Sequence, residues 1–347
     1  MAEKILVTGG TGYIGSHTAV ELFESGFEAV IIDNLSNSQI GVLDGIAKIT
    51  GKKPSFEKFD LCDLQKLRDC CRKYQGIKAI IHFAALKAVG ESVGKPLEYY
   101  RNNLVSMINL LMVMREFNIP NLVFSSSCTV YGQPDLLPVT ESAPIKPANS
   151  PYGNTKQICE EIIRDAITAV QGLQAISLRY FNPIGAHKSA LIGELPLGTP
   201  LNLIPYVTQT VIGIRDELRV FGNDYDTPDG TGIRDYIYVV DLAKAHVKAI
   251  KRLLENKNRP AYEVFNLGTG KGLSVLEIIQ TFEKATGQIV KYKTYPRRPG
   301  DISRVYADTT LANNELGWKA ATPLEETLLS AWNWEKHIHN KTNNHYF

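Results

Sequence analysis

Residues 4–16 read KILVTGGTGYIGS, a short apolar run that opens into glycines at positions 9, 10, 12 and 15. An apolar run of this length predicts a buried strand, and the residues after Gly12 have helical periodicity. Gly10-x-Gly12-x-x-Gly15 between a strand and a helix is the fingerprint of a dinucleotide-binding turn, in which backbone N–H groups face a pyrophosphate. Ordinary glycine-rich turns share this spacing, so it is the position of the motif directly after the first strand that favours dinucleotide binding.

Asp33 lies 18 residues after Gly15, at the end of the next strand-like run. A carboxylate at this distance typically binds the adenosine ribose hydroxyls and repels a 2′-phosphate, so the sequence favours NAD over NADP. Asp60 follows a third strand-like run and is a candidate to contact the adenine amino group. A solvated loop carboxylate is the alternative for Asp60.

Short apolar or β-branched runs alternate with longer stretches of helical periodicity. The runs cover residues 4–7, 29–32, 79–83, 122–124 and 175–178. This alternation is typical of βαβ units. The chain has 347 residues, 44% of them hydrophobic, which is enough for a sizeable core. We therefore predict an α/β fold with a doubly wound, Rossmann-type parallel sheet.

The rhythm changes after Asn182, where a stretch rich in proline and glycine precedes a helix-like segment at about residues 207–215. The sequence therefore predicts two parts. An NAD-binding Rossmann domain covers residues 1–182, with a returning segment at about 234–256. A smaller α/β lobe that binds the substrate covers residues 183–347.

Charge and cysteine content exclude several classes of protein. The 38 basic and 36 acidic residues give a net charge of +2, and no basic block could follow a nucleic-acid backbone. No apolar run approaches the roughly 20 residues that span a bilayer, and the N-terminus starts a strand instead of a signal peptide. The five cysteines form no C-x-x-C pair and no metal-like spacing with histidine. We expect free thiols, a cytoplasmic location, and no metal, nucleic acid or membrane as partner.

Tyr152 and Lys156, in the stretch SPYGNTK, are four residues apart on a helix for which Ser150 is a candidate N-cap. This spacing puts an ammonium beside a phenol. A free phenol ionises at about pH 10, and a neighbouring cation stabilises the phenolate that a general base needs. An ordinary exposed helix face is the alternative. The serines at 125–127 add weight, because open α/β sheets bind ligands at the carboxyl ends of their strands.

Eight stretches together resemble one known family, the extended short-chain dehydrogenase/reductases: LVTGGTGYIGSHT, IIDN, IHFAALKAVGESVGKPLEYY, LVFSSSCTVYG, SPYGNTK, LRYFNPIGAH, VFGNDYDTPDGTGIRDYI and NLGTG. The similarity runs from Lys4 to about Trp318. Within the family it is greatest to enzymes that interconvert UDP-galactose and UDP-glucose in galactose metabolism, the Leloir pathway. The resemblance implies that bound NAD takes a hydride from sugar C4 and returns it to the other face of a 4-keto intermediate.

By this resemblance Ser127, Tyr152 and Lys156 are the catalytic trio. Tyr152 takes the proton from the sugar O4, Ser127 hydrogen-bonds O4, and Lys156 holds the nicotinamide ribose and lowers the tyrosine pKa. The residues implied to bind NAD are Gly9, Gly12, Tyr13, Ile14, Gly15, Asp33, Asn34, Leu35, Ser36, Asn37, Asp60, Leu61, Phe83, Ala84, Ala85, Lys87, Asn102, Asn103, Tyr152, Lys156 and Tyr180. Those implied to bind the UDP-sugar are Lys87, Ser127, Cys128, Thr129, Tyr152, Phe181, Asn182, Leu201, Asn202, Leu203, Arg219, Val220, Phe221, Arg234, Tyr236, Arg298, Asp301 and Val305.

In the second lobe the resemblance puts residues 219–221 beside uracil and Asp301 near the ribose. Arg234 and Arg298 are implied to bind the diphosphate, for which a bidentate guanidinium is well suited. From the residues alone, Arg298 could equally form a solvated basic surface, and Arg234 could pair with Asp235 beside it.

Two positions depart from the family pattern or vary within it. Cys128 replaces the usual alanine after the serines and leaves the trio intact. Val305 occupies a position where the family has either a bulky tyrosine or a small cysteine beside the sugar. We expect valine to leave room for a 2-acetamido group, so that UDP-GalNAc and UDP-GlcNAc are substrates as well.

Other readings of the sequence remain open. A related nucleotide-sugar dehydratase or decarboxylase would share NAD and the Tyr152–Lys156 pair, but dehydration needs a carboxylate where Cys128 and Thr129 follow Ser127. An NAD-sensing regulator on the same fold would usually have a broken trio. A homodimer is expected from the family; residues 95–117 and 152–170 have apolar faces that could pair across a two-fold axis or face the core.

Overall fold

The computed structural model describes residues 2–298 and 301–343. Its strands are β1 (Lys4–Thr8), β2 (Glu28–Asp33), β3 (Ser55–Lys58), β4 (Ile77–His82), β5 (Asn121–Ser127), β6 (Gln174–Tyr180), β7 (Asn182–Ile184), β8 (Leu218–Phe221), β9 (Ile233–Arg234), β10 (Tyr236–Tyr238), β11 (Tyr262–Leu267), β12 (Leu273–Ser274), β13 (Tyr292–Tyr295) and β14 (Arg304–Val305). Its helices are α1 (Tyr13–Glu24), α2 (Val42–Thr50), α3 (Leu64–Lys73), α4 (Val89–Gly94), α5 (Pro96–Glu116), α6 (Pro151–Ala169), α7 (Leu203–Val211), α8 (Val239–Leu254), α9 (Val275–Thr286), α10 (Thr310–Asn314) and α11 (Leu324–Asn343).

Seven parallel strands form the central sheet in the order β11-β6-β5-β4-β1-β2-β3. Strand β1 lies in the middle, where Val7 pairs with Ile31 of β2 on one side and Ile81 of β4 on the other. The order reverses between β1 and β4, which is the place where doubly wound sheets bind their ligands. This sheet confirms the predicted Rossmann-type α/β class.

Helices cover both faces of the sheet, because side chains alternate along each strand and both sets are apolar. On one face Val7, Val123 and Leu178 join the core formed with α1, α2 and α8. On the other face Leu122 and Phe124 join the core formed with α3, α5 and α6.

The rest of the chain forms three small sheets. These are β7 with β10, β8 with β13, and β9 between β12 and β14. Helices α7, α9 and α11 enclose a separate apolar cluster, to which Val207, Phe282 and Trp332 contribute. This lobe stands over the carboxyl ends of the central strands, and Tyr13 of α1 bonds to it directly through the carbonyl of Gly185, at 2.6 Å.

The chain returns to the central sheet further along than residues 234–256. Helix α8 packs on the face that α1 covers, and β11 then joins the sheet beside β6 in full parallel register. Leu316 and Trp318 belong to the same core. Part of the predicted 183–347 lobe therefore lies with the Rossmann sheet. Among the described residues, no helix is long and apolar enough to cross a membrane.

Candidate active site

The glycine turn lies where β1 leads into α1. Gly12 is the N-cap of α1. Because glycine has no side chain, the first backbone N–H groups of the helix receive no capping hydrogen bond from it. Gly9 has a φ of +69°, and a Cβ on Gly15 would lie 2.3 Å from the carbonyl oxygen of Gly9. Only glycine fits this close approach of helix and turn.

Two carboxylates follow this turn at the edge of the sheet. Asp33 ends β2, and its Oδ2 accepts a hydrogen bond of 3.2 Å from the N–H of Thr11 in the glycine turn. Asp60 accepts from the Asn34 amide at 3.0 Å. The structure thus brings the glycines, Asp33 and Asp60 together along the β1–β2 side, with the remaining predicted residues of this side beside them: Tyr13, Ile14, Leu35, Ser36, Asn37 and Leu61.

Beyond the end of β4, the segment containing Phe83, Ala84 and Ala85 passes over the glycine turn; the backbone N of Ala84 would lie 2.7 Å from a Cβ on Gly9. Asn103 of α5 holds the next stretch, because its Oδ1 accepts from the N–H of Leu86 at 2.9 Å and its amide donates to Thr155 at 3.0 Å. Asn102 bonds only to its neighbour in this network, donating to Asn103. Of the two asparagines, Asn103 is therefore the buried one that connects the segment after β4 to α6.

The trio meets at the end of β5. Ser150 caps α6 as predicted, accepting from the N–H of Gly153 at 3.2 Å, with Pro151 at the first helical position. Lys156, one turn after Tyr152, donates its ammonium to the carbonyl of Ser125 at 2.6 Å. Its Nζ lies 5.8 Å from the ring centroid of Tyr152. The Ser127 hydroxyl lies beside the Tyr152 phenol and acts to lower its pKa.

Burial dominates the acid–base properties of this group. It raises the pKa of the Tyr152 phenol to about 12, against which the Ser127 hydroxyl acts. It lowers the pKa of Lys156 to about 8, although the carboxylate of Glu160 acts in the opposite direction. Burial likewise raises the pKa of Tyr180, whose hydroxyl bonds to that of Ser125. The lowering of the tyrosine pKa by Lys156 stays a prediction.

Arginines and aromatic rings of the second lobe pack on one another. Arg219 and Phe221 lie on β8, with Val220 buried between them, and both side chains pack on the ring of Tyr295. The Arg298 guanidinium lies 5.0 Å from the centroid of Phe221 and pairs with Asp301, with Nε and Oδ2 2.8 Å apart.

Arg234 lies directly opposite Val305 in the parallel pairing of β9 and β14. Asp235 forms no ion pair with it, because its buried carboxylate accepts hydrogen bonds from Thr269, Gly270 and Ala307 instead. The Arg234 side chain bonds only to a main-chain carbonyl in the described part of the chain.

Sequence reasoning missed Glu194, which connects two predicted residues. Its carboxylate accepts from the Asn202 amide at 2.6 Å and lies 4.0 Å from the ammonium of Lys87. Burial raises its pKa. Leu203 begins α7 after Asn202, while Leu201 before it is exposed. No spacing in the sequence points to Glu194.

The remaining predicted residues lie in the turn after Ser127 and in or beside strands β7 and β10. Phe181 and Tyr236 are buried, Asn182 begins β7, and Cys128 and Thr129 form the short 3-10 turn after Ser127. The Thr129 hydroxyl is buried without a hydrogen-bond partner in the described residues. An orphaned polar atom beside Ser127 is what a missing ligand would leave.

Comparison with known proteins gives consistent similarity over the whole chain. The family model described as GDP-mannose 4,6 dehydratase matches residues 6–330. UDP-glucose 4-epimerase of Homo sapiens is 51% identical over 342 residues, which are 97% of this chain and 97% of that protein. The chain belongs to the UDP-glucose 4-epimerase family. Its membership of the extended short-chain dehydrogenase/reductases, predicted from the sequence, is confirmed.

Solved structures of this family superpose closely. UDP-glucose 4-epimerase from Stenotrophomonas maltophila, with bound NAD and formylated UDP-arabinopyranose, gives a TM-score of 0.94 at 47% identity, over 98% of this chain and 99% of that one. The UDP-Glc/GlcNAc 4-epimerase of Campylobacter jejuni gives 0.82 at 37% identity, over 97% of this chain and 100% of that one. The chain thus shares its fold with epimerases of both kinds of sugar.

Proposed function

We propose that the chain interconverts UDP-glucose and UDP-galactose by inversion at C4 of the sugar, with NAD as a resident cofactor. The observation that carries this proposal is the convergence of Ser127, Tyr152 and Lys156 at the end of β5, at the same carboxyl edge of the parallel sheet at which the glycine turn follows β1. Residues 1–182, with the returning segment, bind NAD, and most of residues 183–347 bind the UDP-sugar.

The residues present fit NAD. Glycines at 9, 12 and 15 let the turn, the segment after β4 and the start of α1 pack closely, and the uncapped start of α1 suits a pyrophosphate. Asp33, fixed by the turn itself, suits the ribose hydroxyls and disfavours a 2′-phosphate. When bound, NAD accepts the hydride of C4 and gives it back.

Tyr152 acts as the base that removes the proton from the sugar O4, and Ser127 holds that oxygen by a hydrogen bond. Burial raises the phenol pKa, which makes the phenolate a stronger base towards the O4 proton, and Tyr152 returns this proton when O4 is restored. Lys156 supplies the positive charge that stabilises the phenolate. The same three groups serve both directions of the reaction, as an epimerisation requires.

The UDP part must stay bound while the 4-keto sugar rotates to present its other face to the cofactor. Arg234 and Arg298 suit the diphosphate, since a guanidinium binds phosphate in a bidentate manner, and Phe221 offers a face for uracil. Binding strength concentrated on UDP leaves the sugar free to rotate. Lys87, Asn182, Asn202 and Thr129 line the sugar end.

We propose a substrate range that includes the 2-acetamido sugars UDP-GlcNAc and UDP-GalNAc. Val305 lies on β14 at the position that borders the sugar and is much smaller than tyrosine. It packs in one apolar cluster with Phe181, and Cys128 packs against this cluster. The volume that valine leaves supports acceptance of the larger substituent.

The expected assembly is a homodimer in the cytoplasm. Leu97, Ile108 and Met112 are exposed along α5, and such apolar stripes support pairing of two copies. The five cysteines all have free thiols, which supports a reducing compartment.

The first test is proton NMR of UDP-galactose with the purified protein and no added cofactor, followed by release of bound dinucleotide. Conversion to UDP-glucose without net NADH is expected. Stoichiometric NADH without inversion would overturn the proposal in favour of a related oxidoreductase. Bound NAD with no chemistry on any UDP-sugar would favour an NAD-sensing regulator.

A further inference from the structure

Behind the trio lies a buried ion pair that the proposed mechanism does not use. Glu160 of α6 and Arg179 of β6 are 3% and 5% exposed. Two hydrogen bonds join them, from Nε to Oε1 at 2.9 Å and from Nη2 to Oε2 at 2.5 Å. A buried pair of this kind contributes little net stability against an apolar substitute, so its position calls for another reason.

The pair is tied to the same strand and helix that hold the trio. Tyr152, Lys156 and Glu160 are successive turns of one face of α6. Lys156 bonds to the carbonyl of Ser125, and the hydroxyl of Ser126 donates to Glu160 Oε1 at 2.6 Å. Ser125 and Ser126 at the end of β5 are therefore each bonded to one turn of α6, and the third serine, Ser127, lies beside Tyr152.

Arg179 extends this connection to neighbouring strands. Its Nη1 donates to the Tyr131 hydroxyl at 3.0 Å, and that hydroxyl donates to Asn266 of β11 at 2.7 Å. The turn of residues 128–131, which follows Ser127, is thus anchored to β6 and β11 through the guanidinium. Glu160 and Arg179 fix α6, β5 and this turn relative to one another.

We propose that Glu160 and Arg179 are positioning residues for the reaction: their ion pair sets the distance between Tyr152 and Ser127 and keeps the ammonium of Lys156 charged. The first effect follows from the bonds to α6, β5 and the 128–131 turn. The second follows from the carboxylate one helical turn after Lys156. This inference rests on the proposed epimerase function, and it adds residues that touch neither substrate nor cofactor.

The chain offers a matched control. Arg252 of α8 and Glu263 of β11 form a second, half-buried, two-bond pair, with distances of 2.7 and 2.8 Å, at the amino-terminal part of β11. Glu263→Gln makes the same chemical change as Glu160→Gln in a half-buried pair that does not touch the trio. Glu160→Gln leaves Arg179 without its carboxylate and Glu263→Gln leaves Arg252 with only Glu315, 3.8 Å away, so both variants should lose thermal stability.

The test measures kcat and KM for UDP-glucose with saturating NAD, well below the melting temperature of each variant. Glu160→Gln should lower kcat by about 10- to 100-fold while KM changes little, because misplacement of reacting groups affects the chemical step. Glu263→Gln should keep kcat. Ser126→Ala, which removes a single bond to Glu160, should lower kcat by a smaller factor. Unchanged kcat in Glu160→Gln and Ser126→Ala would overturn the positioning role.

If Glu160→Gln does not fold, a double variant replaces it in the test. Glu160→Gln/Arg179→Met removes both buried charges, which folds usually tolerate, and it should still lose kcat. If this double variant folds and keeps kcat, the pair is structural only.

Titration of Lys156 gives a readout that does not need turnover. The groups around its ammonium are Glu160, Cys159, Tyr152 and the buried His82. By NMR of labelled lysine, Glu160→Gln should lower the pKa of Lys156, and Glu263→Gln should leave it in place. No shift would overturn the charge role. Inactivity of the unmodified protein would overturn the proposed function, and this titration would still decide the inference.

Discussion

Lys156 donates its ammonium to the main-chain carbonyl of Ser125 at 2.6 Å, inside the protein and 5.8 Å from the ring centroid of Tyr152. A buried ammonium is unfavourable for folding, and its pKa falls to about 8 for this reason. A charge kept at such a place indicates that function retains it at the expense of stability.

We expect Lys156→Met to lose epimerase activity by a factor of about 10² or more, because the phenolate of Tyr152 loses its stabilising cation. The free energy of unfolding at pH 7 should rise by about 1–2 kcal/mol, since the buried charge is gone. The gain should shrink as pH rises above about 8, where the native lysine is already neutral. Activity assays and denaturant unfolding at several pH values measure both effects.

The control is Lys78→Met, which removes an exposed ammonium on the neighbouring strand β4. It should change neither activity nor stability by much. A fall in the stability of Lys156→Met at pH 7 would contradict the expected cost of the buried charge.

Gly15→Ala should abolish retention of NAD on purification. The added Cβ would lie 2.3 Å from the carbonyl oxygen of Gly9, so the glycine turn and the start of α1 must move apart. Gly41→Ala is the control, because a Cβ there meets no atom within 4 Å and its φ is −60°. Bound dinucleotide per protomer, measured after denaturation, distinguishes them. Equal NAD content in the two variants would show that the turn does not hold the cofactor.

The parts of the site that sequence predicts well are local. The glycine turn, Asp33 at the end of β2, and the pair Tyr152 and Lys156 follow from spacing along one strand or one helix. Local geometry of this kind is fixed by strand and helix periodicity, without knowledge of the rest of the fold.

The parts that sequence alone does not give are contacts between distant segments. Glu194 accepts a hydrogen bond from Asn202 and lies near the ammonium of Lys87. The fold brings these residues together, and no periodic pattern in the sequence predicts the contacts. Strand β11 pairs with β6 across more than 80 residues, so the sequence pattern does not indicate that it belongs to the central sheet. The alternative in which Arg234 pairs with Asp235 is wrong, because backbone N–H groups bond that buried carboxylate.

Val305→Tyr should change the relative turnover of the 2-acetamido sugars and the plain sugars. Val305 is buried opposite Arg234, and a larger ring there would fill the space proposed for the 2-acetamido group. We expect turnover of UDP-GlcNAc to fall by about tenfold or more, since overpacking a tight pocket costs about 1–3 kcal/mol. Turnover of UDP-glucose should remain. Initial rates with both substrates measure the ratio.

Val305→Cys serves as the control, because cysteine is close to valine in size and should keep both activities. If the unmodified protein turns over UDP-galactose and none of the acetamido sugars, and Val305→Ala restores them, valine is itself the obstacle. That result would reverse the proposed substrate range.

Glu21 makes stability depend on pH, at the packing surface between α1 and α8. Burial raises the pKa of its carboxyl to about 7, and Lys244, Asp241, Glu24 and Lys188 are the charged groups around it. The native state thus keeps a proton that the unfolded chain has lost, so stability falls as pH rises from about 4.5 to about 7.

Glu21→Gln should therefore raise the free energy of unfolding by about 2–3 kcal/mol at pH 8 and by less than about 1 kcal/mol at pH 5. Denaturant unfolding of both proteins at the two pH values measures this difference. Glu24→Gln, an exposed change on the same helix, should show no such pH dependence. A stabilisation of Glu21→Gln that is equal at the two pH values would mean that the carboxyl is already ionised in the native state, with Lys244 as its partner.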